Sequence, residues 1–171
     1  MTDNLGRIFE IRPACRSDLS AMTEIYNKAI RSRYCTGHLE EFSETDREEW
    51  FHEHSNKRYP LYVAEMEGGV IGYVHISPYI KRQAYDDTCE ITYYLDFDYH
   101  GRGIGSALVE YILDKARKNG FRTVIGLICS INQQSIGLLK KFGFKLWGTV
   151  PDVMDMGHGN IYSLVIYGLK L

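Results

Sequence analysis

Seven residues near the middle of the chain, His100-Gly101-Arg102-Gly103-Ile104-Gly105-Ser106, separate a segment of alternating apolar and polar side chains from one with helical periodicity. The chain must therefore turn from strand to helix through three glycines spaced two apart. Glycine reaches backbone conformations closed to other residues, so successive N–H groups can converge on one concavity at the helix N-terminus. Unpaired amides and the positive end of the helix dipole both favour an anion there, and a pyrophosphate has the right shape and charge. Arg102 is positioned to add a charge-assisted contact. One glycine would serve a plain turn; three at alternate positions point to a bound group. Spacing excludes two other phosphate loops. Gly105 is followed by Ser106-Ala107 and not by Lys and Ser/Thr, and a dinucleotide fingerprint would place glycine where Ser106 stands.

The 171 residues, 44% of them apolar, are enough for one domain with an ordinary core. Basic and acidic residues, 20 and 22, are interspersed for a net charge of −2, which gives no footprint for nucleic acid. Met1 to Arg12 lacks an apolar leader core, and no stretch approaches the roughly 20 apolar residues that cross a bilayer. The expectation is a cytoplasmic chain with no membrane contact. Cys15, Cys35, Cys89 and Cys129 show no CxxC spacing and read as buried free thiols. His52 and His54 point to different sides of a helix, while His38, His75 and His158 have no nearby ligand-type partner in sequence; no metal is expected.

Ile8 to Arg12 reads as a strand stopped by Pro13. Leu19, Met22, Ile25, Tyr26, Ala29 and Ile30 mark a helix opened by Ser17 and Asp18. A second helix is expected from Ser43 to about His54, capped by Ser43, with Trp50 and Phe51 inward. Leu61 to Glu65 and Val70 to Ser77 form a hairpin around Glu67-Gly68-Gly69. After the polar loop Pro78 to Asp87, residues 89 to 97 alternate as a strand, with one face for packing and one for a ligand. Ile104 to Lys115 lie on a helix ended by Asn119-Gly120. Thr123 to Cys129 is an apolar strand, Gln133 to Phe142 a short helix, and Ile161 to Leu171 strand-like. The pattern predicts an α/β (α+β) fold, a mostly antiparallel sheet with helices packed on it.

The loop HGRGIGS, its flanking strand and helix, and Asn132 and Ser135 ahead of Lys140-Lys141-Phe142-Gly143-Phe144 resemble the acetyl-coenzyme A core of the GNAT superfamily. The segments IRPACRSDLSAMTEIYNKAI, PLYVAE, GGVIGYVHISPY and AYDDTCEITYYLDFDYHGRGIGSALVE extend the likeness to the phosphinothricin acetyltransferase family, from about Ile11 to Leu171. The resemblance implies a central sheet of about seven strands with helices on both faces, splayed at the acetyl-CoA site. It also implies that Gly101, Arg102, Gly103, Ile104, Gly105 and Ser106 hold the pyrophosphate. The backbone of Tyr93, Tyr94 and Leu95 would pair with the pantetheine arm, Asn132 and Ser135 would flank it, and an N–H near Leu95 would receive the oxyanion. The expected activity is transfer of an acetyl group to the primary amine of a small amino acid or analogue such as phosphinothricin, methionine sulfone or methionine sulfoximine, in a chain of a kind that often forms homodimers.

Attack on a thioester needs a neutral amine, so a base must take the ammonium proton. Glu90 faces away from Ile91 and Tyr93 at a glutamate position that the family shares; it is the candidate general base, acting through water. Tyr79, Arg82 and Tyr85 are candidates for the acidic part of the substrate, because Arg offers carboxylate a bidentate fork. Tyr34 and Phe42 are expected to wall the same pocket. Three departures from the family pattern stand out. Leu139 occupies a place usually held by Tyr or His that protonates the thiolate, although a thiol of pKa near 8.5 leaves without much help. His100 replaces a glutamine or arginine, and Gly159-Asn160-Ile161 replaces Gly-Arg-Trp. They leave open a different acceptor, such as a polyamine, a drug amine or a protein N-terminus, and a weakly catalytic module that binds acetyl-CoA.

Overall fold

In the computed structural model, residues 1–54 and 56–171 are described. The chain forms β1 (Glu10–Pro13), α1 (Leu19–Arg31), α2 (Glu48–Glu53), β2 (Leu61–Met66), β3 (Gly69–Pro78), β4 (Thr88–Leu95), α3 (Ile104–Lys118), β5 (Thr123–Cys129), α4 (Gln133–Lys141), β6 (Lys145–Asp155) and β7 (Ile161–Lys170). The strands make one sheet in the order β1-β2-β3-β4-β5-β7-β6. Every pairing is antiparallel except β4 with β5. That one parallel pairing interrupts the run of hairpins, and α3 is the crossover it requires.

Local chemistry accounts for most element ends. Asp18 accepts the Cys15 N–H at 2.8 Å just before α1, whose stripe Leu19, Met22, Ile25, Tyr26, Ala29 and Ile30 is buried. Ser43 and Asp46 exchange backbone-to-side-chain bonds at 2.8 and 3.3 Å ahead of α2, the reciprocal arrangement of a capping box. Glu67 and Gly68 both have positive φ, 52° and 79°, and so close the β2–β3 hairpin with the twist its strands need.

Two cores result, one on each face of the sheet. Ile104, Leu108, Val109 and Ile112 of α3 and Ile136 and Leu139 of α4 pack with Val74, Ile76, Ile91 and Val124. On the other face Leu19, Met22 and Ile25 of α1 and Phe51 of α2 meet Val63 and Tyr73. Each fully buried aliphatic side chain here contributes about 1.5–3 kcal/mol. The inward placement of Phe51 agrees with the sequence reading, and Trp50 packs beside it.

Three expectations need correction. The strand β6 has no counterpart in the hydrophobic pattern, because it is an edge strand with most of its residues exposed and bulges at Leu146/Gly148 and Val150/Met154 that break alternation. The first strand starts at Glu10, and Ile8 is exposed. Of the four thiols only Cys89 and Cys129 are buried; Cys15 is exposed in the turn before α1 and Cys35 is half-buried. No helix among the described residues is long and apolar enough to cross a membrane.

Candidate functional site

Strands β4 and β5 pair only from Thr88↔Thr123 to Glu90↔Ile125 and then diverge, while β4 stays paired with β3 through Leu95↔Gly72. The upper half of β4 thus has one bonded edge and one open edge. Asp96 N–H bonds Ile71 C=O at 2.8 Å, so alternation directs the amides of Tyr94, Thr92 and Glu90 toward β3 and those of Leu95, Tyr93 and Ile91 toward the opening. The Leu95 carbonyl, 3.0 Å from His100 Nε2, agrees with that direction. Tyr94, expected to offer its backbone to a ligand, instead offers only its side of the cavity wall.

The glycine loop continues from this edge. Gly101 and Gly103 have φ of 74° and 86°, which an L side chain resists, whereas Gly105 is already helical and close to Leu138. Gly105 therefore needs no special φ, and a Cβ there would make only ordinary contact with Leu138 Cδ2 at 3.4 Å. The first bond of α3 runs from Ala107 N–H to Gly103 C=O at 3.1 Å. Among the described residues, no backbone N–H from Gly101 to Ser106 has an acceptor within the protein. Six consecutive free amides at the N-terminus of a 15-residue helix make the anion cradle that the glycine spacing predicts.

A cavity of about 500 Å³ joins the open edge to the cradle, and Tyr93, Tyr94, Leu95, Gly101, Gly103, Gly105, Ser106, Asn132 and Ser135 all line it. Asn132 caps α4, with Oδ1 accepting the Ser135 N–H at 3.1 Å and Nδ2 pointing to Cys35 Sγ at 3.8 Å. Tyr93 donates its hydroxyl to the Ser135 carbonyl at 3.4 Å, tying β4 to α4 across the splay. Ile104 contributes only main chain, since its side chain is fully buried in the core. Arg102 departs from expectation: its guanidinium donates to the Asp98 carbonyl at 2.6 Å, lies 4.8 Å from the Tyr99 ring centroid, and does not line the cavity.

Sequence reasoning missed several wall residues. Lys141 reaches Ser106 Oγ at 3.0 Å and places a cation at the cradle, a role its position beside Lys140 gave no means to assign. Asn4 and Cys35 also line the cavity, from segments remote in sequence. Leu139 does not line it; its side chain is in the core, where a Cβ on Gly126 would stand 2.5 Å from Leu139 Cδ1.

Glu90 sits at the closed end of the splay, opposite Ser77 on β3 and Ile125 on β5. It has no hydrogen-bond or ion-pair partner among the described residues, and burial pushes its carboxyl up to about 7. It does not line the cavity, whose nearest β4 residue, Tyr93, is three positions on, roughly 10 Å at about 3.3 Å per residue. Arg82 and Tyr85 line a separate depression with Pro78, and the Tyr79 and Tyr85 rings stand 6.2 Å apart. Pro78 pairs with Cys89, a residue of the α3-side core, so its side chain lies on the opposite face of the sheet from Ser77 and Glu90, and the depression does not bring Arg82 or Tyr85 to Glu90. Tyr34 and Phe42 do not join it. Phe42 packs on Tyr26 and His38 at 6.0 and 5.0 Å, and Tyr34 adjoins Cys35, because the connection after α1 folds toward the cavity beside β4.

The face that carries Glu90 also carries a cluster unforeseen from the sequence. Arg47 is buried, with its guanidinium 4.4 and 3.9 Å from the Tyr26 and Trp50 ring centroids and a donated bond to Tyr73 Oη at 3.3 Å. His75, taken from the sequence to lack a neighbour of ligand type, has the His54 ring 4.6 Å away. Burial, with His54 and Arg47 nearby, holds His75 well below the usual range and therefore neutral. No group of three or more potential metal ligands occurs among the described residues.

Comparison with known proteins follows the same outline. The acetyltransferase (GNAT) family model matches residues 20–144. A phosphinothricin N-acetyltransferase of Streptomyces viridochromogenes is 34% identical over 146 residues, covering 84% of this chain and 78% of its own. An L-methionine sulfoximine/L-methionine sulfone acetyltransferase of Pseudomonas aeruginosa is 30% identical over 144 residues, with 84% of each chain covered. The crystal structure of a GNAT superfamily phosphinothricin acetyltransferase from Sinorhizobium meliloti in complex with acetyl-CoA is similar with a TM-score of 0.91 at 30% identity, covering all of this chain and 89% of that one.

Proposed function

The chain belongs to the GNAT acetyltransferase family, and on that basis we propose that it transfers the acetyl group of acetyl-CoA to the primary amine of a small amino acid or a close analogue, as one N-acetyltransferase domain. The observation that carries this reading is the unbroken run from the open edge of β4 to six free amides at Gly101–Ser106. That run suits a ligand with a diphosphate at one end and amides along an extended arm. Acetyl-CoA, when bound, supplies an acyl carbon activated by a thiolate leaving group.

The residues of this chain then have distinct tasks. The cradle, with Lys141 beside it, takes the diphosphate. Tyr93 and Leu95 offer main-chain groups on the open edge as a further strand would, and Asn132 Nδ2 offers a donor from α4. The Leu95 N–H is the candidate donor to the oxyanion. Glu90, held near neutrality, accepts the ammonium proton through water and leaves the amine free to attack. Arg82 and Tyr85, in the polar loop between β3 and β4, are the candidates to receive the carboxylate or phosphinate of the acceptor.

The test is release of free thiol from acetyl-CoA over a panel of amines. Turnover with methionine sulfone, methionine sulfoximine or phosphinothricin, and none with spermidine, is the expected result. Tight cofactor binding with no turnover on any amine would refute the enzymatic reading.

A further inference from the structure

Residues 1–9 fold as a closed loop against the phosphate cradle. Thr2 and Ile8 form an antiparallel bridge, and Phe9 N–H bonds the Met1 carbonyl at 3.0 Å. Inside the loop Asp3 is buried, with Oδ1 accepting the Leu5 and Arg7 N–H groups at 2.9 and 2.8 Å. These bonds stiffen the loop from within, so its tip has a defined position. The tip is Asn4.

Asn4 N–H bonds the Arg102 carbonyl at 3.0 Å, which ties this remote segment to the glycine loop itself. The Asn4 side chain lies on the wall of the same cavity as Gly101, Gly103, Gly105 and Ser106. Its Oδ1 is 3.0 Å from where a Cβ on Gly103 would be, so any side chain at 103 would crowd Asn4. Neither end of the carboxamide has a hydrogen-bond partner among the described residues, although the backbone beside it is pinned. An exposed carboxamide on a pinned backbone, next to a row of free amides, extends the donor set of that row.

We infer that Asn4 is a cofactor-binding residue whose Nδ2 donates to a diphosphate oxygen of the nucleotide thioester, making the N-terminal loop the second wall of the cradle. This rests on the acetyl-CoA reading proposed above. A carboxamide donor adds reach without charge, and the hydrogen bond to an anionic oxygen is of the stronger kind.

The experiment is calorimetric titration of CoA into the wild type, Asn4→Ala and Asn4→Asp, together with kcat/KM for acetyl-pantetheine, a donor without a diphosphate. Asn4→Ala is expected to weaken CoA about tenfold. Asn4→Asp sets a carboxylate against the diphosphate and is expected to weaken it about 100-fold, with part of the loss recovered at high salt. Acetyl-pantetheine turnover should be equal in all three proteins, which also shows that the variants are folded. Equal CoA affinity in all three proteins overturns the role of Asn4 while leaving the cofactor reading in place, and so does an equal loss with acetyl-pantetheine. No heat with the wild type overturns both, and identifies the reading of the cavity as the failure.

Discussion

Replacing Glu90 by Gln is expected to stabilise the protein at alkaline pH while removing most of its activity. The carboxyl is pushed from an ordinary 4.5 up to about 7 by burial alone, with no cation or donor to offset it. Folding therefore favours the protonated form. Stability from this group is fully present below the unfolded-state pKa and is lost as pH rises through about 7. At about 1.4 kcal/mol for each tenfold change in proton affinity, the full loss is about 3 kcal/mol, reached near pH 8, with only about 1 kcal/mol gone at pH 5. Gln keeps the shape and never ionises. In urea unfolding, Glu90→Gln should exceed the wild type by about 3 kcal/mol at pH 8 and by about 1 at pH 5. The wild-type kcat/KM should rise with pH through about 7, and the variant should lose on the order of 10²-fold in kcat with cofactor affinity retained. A stability gap that does not change between pH 5 and pH 8 would refute the argument that burial holds the group up. An unchanged kcat would remove Glu90 from the chemistry.

Three further outcomes can be checked on the same protein. Gly103→Val places a β-branched side chain at φ of 86° and against Asn4, a backbone cost of more than about 1–2 kcal/mol; circular dichroism should stay native while CoA binding is lost, and retained affinity would contradict the cradle. Gly72→Ala puts a methyl group 2.8 Å from both the Tyr94 carbonyl and Leu95 Cδ1, so β4 must shift; a stability loss of about 1–3 kcal/mol in urea and a raised KM for acetyl-CoA are expected, and wild-type values for both would refute that close approach. Lys141→Ala removes the cation beside Ser106 and should raise the KM for acetyl-CoA roughly tenfold with kcat at saturation unchanged, whereas a fall in kcat alone would place Lys141 elsewhere in the reaction.

Features that depend on neighbours a few residues apart were legible in the chain before folding. The cradle belongs to this class, since Gly101 and Gly103 declare their positive φ by being glycine, and the helix after them shows its stripe. The alternation of β4 belongs to it too, along with the side of the strand on which Glu90 falls. Whatever needed a partner distant along the chain was settled by packing. Which amides of β4 stay open depends on β5 turning away after Ile125. Asn4 reaches Gly103, and Arg47 meets Tyr26 and Tyr73, only because separate elements pack together. Arg102 looked like a ligand residue until the Asp98 carbonyl and the Tyr99 ring competed for it. The exposed edge strand β6 left no hydrophobic pattern because most of its residues bury little surface. Periodicity and φ preferences are properties of a short segment, whereas the direction of a long side chain is set by the donors, acceptors and rings that folding brings within its reach.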